Sequence, residues 1–310
     1  MKKLLIVLAV FFWANMATAQ QIQLKRWYFS PSNVDMTLPA PSVGSIGGAS
    51  VAVTQIDNGA YDSYNPSGPP MFFIADNTVF DATGNAMSGL LLSTSIRTSE
   101  IAVVPATDNS PCTQNKYLII YASYCLCPSF ITNIFMNEVD MSGNNGLGTV
   151  SSPTTLMTLY RSEYVGIAIG HMNSATSTRN IYVVGGEPSP TGFQQTISKI
   201  TIGNNNVTNV TNLLTTTTED FSTSELDLNP DETMLAFATI NNVNSSANRY
   251  HIFNIGGNLV SFSVGNANTT TEGRGVEFYK NANGQEKLMV GNGSDGLWVI
   301  NPNNPTVGQV

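Results

Sequence analysis

The stretch FSTSELDLNPDETMLAFATI, residues 221–240, holds a strand, a turn and a second strand in direct succession. In its first part, Leu226 and Leu228 alternate with acidic residues, which is the period-2 pattern of a strand with one buried face. The tetrapeptide NPDE at Asn229–Glu232 predicts a type I turn, because proline presets φ at the second position and the asparagine side chain can cap the turn. Met234–Ala238 is more continuously apolar and predicts the second strand.

Units of this kind recur along the chain at intervals of roughly 50 to 65 residues, compared with about 40 to 50 for known propeller repeats. The candidate first strands are Ser50–Ile56, Glu100–Pro105, Val165–His171, Glu225–Leu228 and Gly275–Tyr279. The candidate second strands are Met71–Ala75, Lys116–Ser123, Asn180–Gly185, Met234–Thr239 and Lys287–Gly291. The candidate third strands are Thr78–Asp81, Ile131–Asp140, Ile197–Ile202, Tyr250–Ile255 and Leu297–Asn301. These units predict an all-β fold, a β-propeller of four-stranded antiparallel blades, with an elongated array of β-sandwiches as the alternative.

A shorter repeat marks the end of the third strand in three of these units. Asp81–Asn85, Asp140–Asn144 and Asn254–Asn258 each have the form Asp/Asn-x-x-Gly-Asn. Such a hairpin needs a capping side chain at the start and a residue tolerant of positive φ later, which explains these residue types at this spacing. The repeat therefore predicts three equivalent hairpins.

The first residues predict a cleaved signal peptide. A positively charged start precedes Leu4–Trp13, an apolar core of about ten residues, and Ala17–Ala19 supplies a small-x-small cleavage pattern. We therefore expect a signal peptide over residues 1–19, an N-terminal strand and Pro/Ser-rich lead-in over residues 20–48, and a propeller over residues 49–310 that is truncated at its C-terminus. Trp27–Phe29 would either lend a strand to the last blade or lie outside the first blade.

Composition and charge limit the classes of partner. Charged residues make up 11% of the chain, and the net charge is −8 with only 13 lysines and arginines. An acidic chain without a basic run lacks the electrostatic footprint of a protein that binds nucleic acid or anionic lipid. No stretch after the signal peptide is long and apolar enough to cross a membrane. We expect a secreted or cell-surface protein with no nucleic-acid partner, no membrane insertion and no cofactor except a possible calcium ion.

The succession of Trp27–Phe29, a Gly-rich entry to the first unit, the hairpin repeat, Ser224–Thr239 and Gly275–Phe278 resembles a family of secreted propellers. These are the WD40/TolB-like N-terminal propellers of large gliding-motility-associated surface proteins, which bacteria export by type IX secretion. The resemblance covers most of the mature chain. It implies export by that route and further modules in the same polypeptide. Two turns depart from the family pattern, since Asn229–Glu232 replaces a Ser-Pro-Asp-Gly-type turn and Lys280–Gly284 replaces the turn after Phe278.

Residues with catalytic or metal-binding chemistry are few. His171 ends a first strand, so we expect it near an axial mouth of the propeller, where it is a candidate ligand-binding residue. His251 lies in a third strand, where a partly buried, hydrogen-bonded histidine is expected. No Ser-His-Asp set, HExxH, phosphate loop or four-cysteine zinc pattern occurs. Asn292–Gly296 (NGSDG) primarily predicts a hairpin turn, and its oxygens could surround calcium although the ligand spacing of a known calcium loop is missing.

These observations favour a non-catalytic binding or adhesion module whose scaffold presents loops to a glycan or protein ligand. The long loops include Asp57–Pro70 and Asp108–Asn115, and loops on a rigid scaffold often carry recognition. Tyr61 and Tyr64 are candidate ligand-binding residues, because an exposed aromatic ring can stack on a sugar or peptide. The alternative is that both rings pack onto their own blade. The alternative functions are a propeller enzyme, lactonase-like or glycan-cleaving, and a structural spacer of a larger surface protein.

The three cysteines, Cys112, Cys125 and Cys127, are disulfide candidates because the signal peptide predicts an oxidising compartment. If they are extended, Cys125 and Cys127 sit near the upper Cα separation for a bridge, unless Pro128 bends the segment. Cys112 precedes the strand Lys116–Ser123 and would lie roughly 30 Å from either partner, at about 3.3 Å per residue, unless a flanking segment folds back. Both kinds of pairing, and the absence of a bridge, stay open.

Overall fold

The computed structural model divides the chain into two compact units. Unit 1 comprises Met1–Leu92 with Val139–Ser152, and unit 2 comprises Ser93–Glu138 with Pro153–Val310. The signal peptide predicted for residues 1–19 lies outside the residues that the structure describes. Those residues are 26–29, 32–35, 42–45, 56–60, 71–75, 78–89, 101–107, 115–125, 131–160, 164–186, 194–216, 223, 225–239, 250–264, 273–292, 296–305 and 307–309. Within these ranges, no helix has the length and hydrophobicity that a membrane span requires.

The described residues form β-strands joined mostly by short turns. The first eleven strands in chain order are β1 Arg26–Phe29, β2 Ser32–Asp35, β3 Ser42–Ser45, β4 Ile56–Ala60, β5 Phe72–Ala75, β6 Thr78–Asp81, β7 Ser88–Gly89, β8 Ala102–Pro105, β9 Lys116–Cys125, β10 Ile131–Asp140 and β11 Thr149–Val150. The remaining strands are β12 Thr154–Tyr160, β13 Gly166–Asn173, β14 Thr178–Gly186, β15 Gln195–Gly203, β16 Asn206–Thr216, β17 Glu225–Leu228, β18 Met234–Ala238, β19 Tyr250–Asn254, β20 Leu259–Phe262, β21 Gly273–Lys280, β22 Glu286–Asn292, β23 Gly296–Ile300 and β24 Val307–Gln309.

Unit 1 contains two three-stranded antiparallel sheets, β1–β2–β3 and β4–β5–β6. Trp27–Phe29 belong to β1, which pairs with β2. The rings of Phe73 and Phe80, opposite each other on β5 and β6, stack with centroids 5.2 Å apart. β7 and β11 form a short parallel pair. β11 also pairs antiparallel with Val139 and Asp140 at the end of β10.

Unit 2 contains three four-stranded sheets and most of four further strands, which belong to the six-stranded sheet that also includes β7 and β11. We call the four further strands sheet I (β8–β9–β10–β12), and the three four-stranded sheets are sheet II (β13–β14–β15–β16), sheet III (β17–β18–β19–β20) and sheet IV (β21–β22–β23–β24). Sheets II to IV are antiparallel meanders, and the first strand of each sheet contacts the first strand of the next. Successive meanders that meet through their first strands are the blades of a β-propeller, so the predicted fold class is confirmed.

A hydrophobic core lies between each pair of successive sheets in unit 2. Sheet III faces two of these cores, and the residues of β18 alternate between them. Leu235 and Phe237 pack toward sheet II, whereas Met234, Ala236 and Ala238 pack toward sheet IV. All five side chains are buried. This double burial explains why β18 is continuously apolar, because a strand covered on both faces has no position for a polar side chain.

Most strand predictions agree with the structure, but the first strand predicted at Ser50–Ile56 is displaced. β4 is Ile56–Ala60, so residues 57–60 of the predicted loop Asp57–Pro70 are strand, and residues 50–55 lie outside the described residues. Pairing with β5 places this segment in the sheet although its sequence has no strand pattern. β17, β6 and β10 have the predicted bounds. β24 is the fourth strand of sheet IV. Leu156–Tyr160 is part of β12, which pairs with β10.

The predicted hairpins form, although the position of positive φ varies. Asp81 Oδ1 accepts hydrogen bonds from the amides of Thr83 (2.8 Å) and Asn85 (3.1 Å), and Gly84 has φ +84° as predicted. After Asn254 the positive φ lies one residue earlier, at Gly256. In the Asp140 hairpin, the glycine of the repeat has φ −71° and the two following asparagines take the positive φ values.

Candidate functional site: the turn face of unit 2

Six hairpins lie along one edge of sheets II to IV, because an antiparallel meander places the turns after its first and third strands at the same edge. We call this edge the turn face. Each hairpin contains asparagine, at 173, 204–205, 229, 254, 281 and 301. The side-chain oxygens of Asn173, Asn229, Asn281 and Asn301 accept backbone N–H bonds within their own turns. These local bonds hold the loops in one conformation.

The Asn229 turn is the most extensively bonded of the six. Asn229 is buried, and its Oδ1 accepts from the amides of Thr233 (2.7 Å) and Met234 (2.8 Å). Its Nδ2 donates to Glu286 Oε1 at 3.0 Å, which joins sheet III to sheet IV. The predicted capping role is therefore confirmed. The side chain also has an inter-sheet bond that the local pattern does not predict.

His171 lies on a β-bulge at the end of β13. The pairing of β13 with β14 shifts between Ile169 and Met172, so Gly170 and His171 together oppose Asn180. The His171 amide leaves the ladder and donates to the carboxylate of Glu232, which belongs to the first turn of sheet III. The imidazole is exposed to solvent. Bulges commonly redirect a side chain in this way.

Glu232 is held in an unusual conformation above this bulge. Its φ is +52°, in the left-handed region that residues with a Cβ rarely adopt. Its carboxylate lies against Gly170, where a Cβ atom would stand only 2.7 Å from Glu232 Oε2. Glycine at this position therefore allows the carboxylate to approach the His171 amide closely.

A buried arginine lies beside the bulge. Arg179 is only 6% exposed, and its guanidinium donates to the carbonyl oxygens of Gly170 (2.8 Å) and Pro105 (3.5 Å). Its Nε has no hydrogen-bond partner among the described residues. Burial lowers the pKa of Arg179 to about 10, against the opposing effect of Glu232. Burial, followed by the charge of Glu232, also raises the pKa of Tyr182.

Arg179 and Glu232 thus connect the end of β8 at Pro105, the bulge of β13 at Gly170–His171 and the turn that follows β17. Chemically, this arrangement positions an exposed imidazole on a rigid support. Its two ring nitrogens are hydrogen-bonding groups. Sequence reasoning selected His171 but missed Glu232, which bonds to the His171 amide, and Arg179, which bonds to the Gly170 carbonyl beside it.

Several exposed carboxamides accompany His171 on the turn face. Asn204, Asn258, Asn283 and Asn303 are exposed, and their side chains make no hydrogen bond to another described residue. Sequence reasoning recognised asparagine here only as a turn former. The regular spacing of the hairpins is the signal that could have identified these side chains as a set.

The other candidate residues have different outcomes. His251 is buried, with Nδ1 2.9 Å from Ser261 Oγ, which confirms the expected hydrogen-bonded histidine. Tyr61, Tyr64, Cys112 and Cys127 lie outside the described residues. Cys125 ends β9, but its side chain is likewise outside them.

The predicted calcium turn is only partly described. Asn292 ends β22 and Gly296 begins β23 with φ +99°, and residues 293–295 are outside the described ranges. Within the described ranges, no three histidine, cysteine or acidic side chains are grouped to hold a metal ion. Calcium binding at this turn therefore stays a prediction.

Comparison with known proteins gives similarity only to solved structures. No family model and no curated protein matches the chain. BBS1N, solved in complex with ARL6DN, matches with a TM-score of 0.45 and 10% identity over 90% of this chain and 73% of that one. Sqt1 from Chaetomium thermophilum matches with a TM-score of 0.42 and 13% identity over 89% and 76%. The Dos1 propeller matches with a TM-score of 0.42 and 11% identity over 90% and 80%.

Proposed function

We propose that this chain is a secreted or cell-surface, non-catalytic binding module that holds an extracellular glycan on the turn face of unit 2. The observation that supports this function is the set of exposed carboxamides on Asn258, Asn283 and Asn303, whose side chains bond to no other described residue. A carboxamide has donors and acceptors within one group, which suits the hydroxyl groups of a sugar. His171 adds a fourth exposed polar group on the same edge.

The loops that carry these groups are preorganised. The Asn283 hairpin is fixed by Asn281 Oδ1, which accepts from the amides of Asn283 (3.0 Å) and Gln285 (2.9 Å). The Asn303 amide donates to Asn301 Oδ1 at 3.1 Å. A ligand that meets loops already ordered loses less conformational entropy on binding, so weak polar contacts suffice for measurable affinity.

Charge on the turn face favours a neutral ligand. The exposed Lys280 ammonium lies 3.6 Å from Asp231, and Glu232 is bonded to the His171 amide. A protein ligand is the competing possibility, and BBS1N in complex with ARL6DN is a propeller-like neighbour bound to a protein. Carboxamides bind peptide groups as readily as hydroxyl groups, and a glycan array separates the two ligand classes.

A printed glycan array probed with the mature chain, residues 20–310, tests the proposal. We expect binding to a group of related neutral glycans. A variant with Asn258→Ala, Asn283→Ala and Asn303→Ala should bind about tenfold more weakly or worse, since each lost hydrogen bond contributes about 0.5–1.5 kcal/mol. Thr215→Ala, an exposed change at the opposite end of β16, is the matched control and should bind like the wild type.

Three results would contradict the proposal. No bound glycan would favour a spacer or a protein ligand, and full binding by the triple variant would place the site elsewhere. Mass spectrometry of the bound glycans after incubation supplies the third readout. Shortened glycans would identify an enzyme.

A further inference from the structure

The outermost strand of sheet II is a long edge. β16, Asn206–Thr216, spans 11 residues and pairs with β15 on one side. No second strand pairs with it among the strands of the described residues. An edge strand presents a row of backbone N–H and C=O groups that can pair with another strand.

β16 lacks most of the features that prevent such pairing. It contains no charged residue, no proline and no glycine, and Val207 and Val210 are 37% and 46% exposed. Two register shifts in its pairing with β15, at Thr208 and Leu213, interrupt the ladder. Between them, Asn209–Asn212 form a regular segment with exposed or half-buried side chains.

We propose that β16 is a homodimerisation edge, at which two copies of this chain pair their β16 strands antiparallel about a twofold axis. Charge limits where two copies of this chain can approach one another. Each chain has a net charge of −8, so two copies repel one another over much of their surface. An uncharged 11-residue strand is a place where they approach without like charges facing each other.

The sequence of β16 also complements itself. A twofold axis requires one residue to lie opposite its own copy, and Val210 in that position places valine against valine. Asn209 then lies opposite Thr211, and both residues belong to the regular segment. Polar side chains thus meet polar ones, and the exposed valine is covered, which is the pattern that stabilises cross-strand pairs.

Sedimentation of the mature chain over roughly 1 to 200 μM tests the dimer. We expect a reversible monomer–dimer equilibrium in the wild type. Val210→Lys should raise the dimer dissociation constant about tenfold or more, because two ammonium groups would lie directly opposite each other. Val260→Lys is the matched control. Val260 is 37% exposed on the outermost strand of sheet III, and its substitution should leave the equilibrium unchanged.

A crosslink tests the register. Opposed residues in an antiparallel pair have Cα atoms about 4.5 to 5.5 Å apart, which is within the range for a disulfide. Under mild oxidation, Val210→Cys should form more covalent dimer than the wild type or Val260→Cys. The native cysteines are the same in all three proteins, so the excess measures the new cysteine alone. A wild type that stays monomeric at 200 μM, or equal effects at positions 210 and 260, would overturn the proposal.

Discussion

At the scale of single residues, Gly170 and Glu232 explain how sheets II and III are joined at the turn face. Glycine has no Cβ atom, and the Glu232 carboxylate occupies the space that a Cβ at residue 170 would need. The bulge leaves the His171 amide without a partner on β14, and this amide donates a hydrogen bond to the Glu232 carboxylate instead. The strain of the left-handed conformation at Glu232 is therefore offset by a charged hydrogen bond.

Gly170→Ala should destabilise the protein by about 1–2 kcal/mol, because the new methyl group displaces the carboxylate and breaks its bond to His171. In a Glu232→Ala background the same change should be neutral or slightly stabilising, since alanine reduces the entropy of the unfolded chain and no carboxylate is in the way. Urea unfolding of the four proteins in this double-mutant cycle gives the coupling energy. Equal costs in both backgrounds would contradict the contact.

Arg179 should make the stability of the protein depend on alkaline pH. Because burial lowers the folded pKa to about 10, the unfolded chain binds more protons between pH 10 and the higher, ordinary pKa of an arginine. Stability from this group therefore rises with pH in that window and is lowest below it. We expect the difference in urea midpoint, wild type minus Arg179→Met, to shift in favour of the wild type from pH 9 to pH 11. A constant difference would mean that the charge is not penalised by burial.

At the scale of elements, the Asn229 and Asn281 hairpins of unit 2 both use an asparagine side chain to accept backbone amides, but they differ in burial. The Asn281 turn is exposed and bonds only to itself, whereas Asn229 is buried and also reaches Glu286 in the next sheet. The same side-chain chemistry therefore closes a local turn in one sheet and joins two sheets in another. Burial decides the difference, because a lost partner in a buried turn cannot be replaced by water.

Asn229→Ala should destabilise the protein by about 2–4 kcal/mol, since two backbone amides and a glutamate lose their partner in a partly or fully buried site. Asn281→Ala should cost only about 1 kcal/mol, because water can replace its side chain in an exposed turn. Asn283→Ala, in the same turn but without a side-chain bond, is the control and should cost about 0.5 kcal/mol or less. Thermal unfolding ranks the three variants. A larger cost for Asn281→Ala than for Asn229→Ala would be the contradicting order.

At the scale of the whole molecule, composition is consistent with the architecture. Few charged residues are needed where sheets such as sheet III are covered on both faces, and polar turn residues occupy the edges. The predicted export route gives a further expectation for the intact protein. The mature chain should begin near Gln20 and pass through an oxidising compartment, where its cysteines can pair.

Mass spectrometry of non-reduced tryptic peptides from the secreted protein tests this route. We expect an N-terminus at Gln20 and one disulfide. Cleavage after Arg97, Lys116 and Arg161 separates Cys112 from the other two cysteines. A crosslinked peptide pair therefore shows a bridge from Cys112, and a loss of about two daltons in the second peptide alone shows the local pair. An N-terminus at Met1 would contradict the signal peptide.

By itself, the sequence determined most strands and turns of the described residues, as shown by β17, β6 and β10, and the Asn229 turn. Alternation and turn chemistry depend on neighbours a few residues away. The sequence also selected His171 from its place at a strand end. It did not determine β4, whose place depends on pairing with β5. Only the tertiary structure placed Glu232 above Gly170, 62 residues away along the chain, and the Arg179 guanidinium beside Pro105, 74 residues away. Such contacts form only when one sheet packs on the next. The bulge at His171 and the burial of the Arg179 charge therefore have no signal in the local sequence pattern.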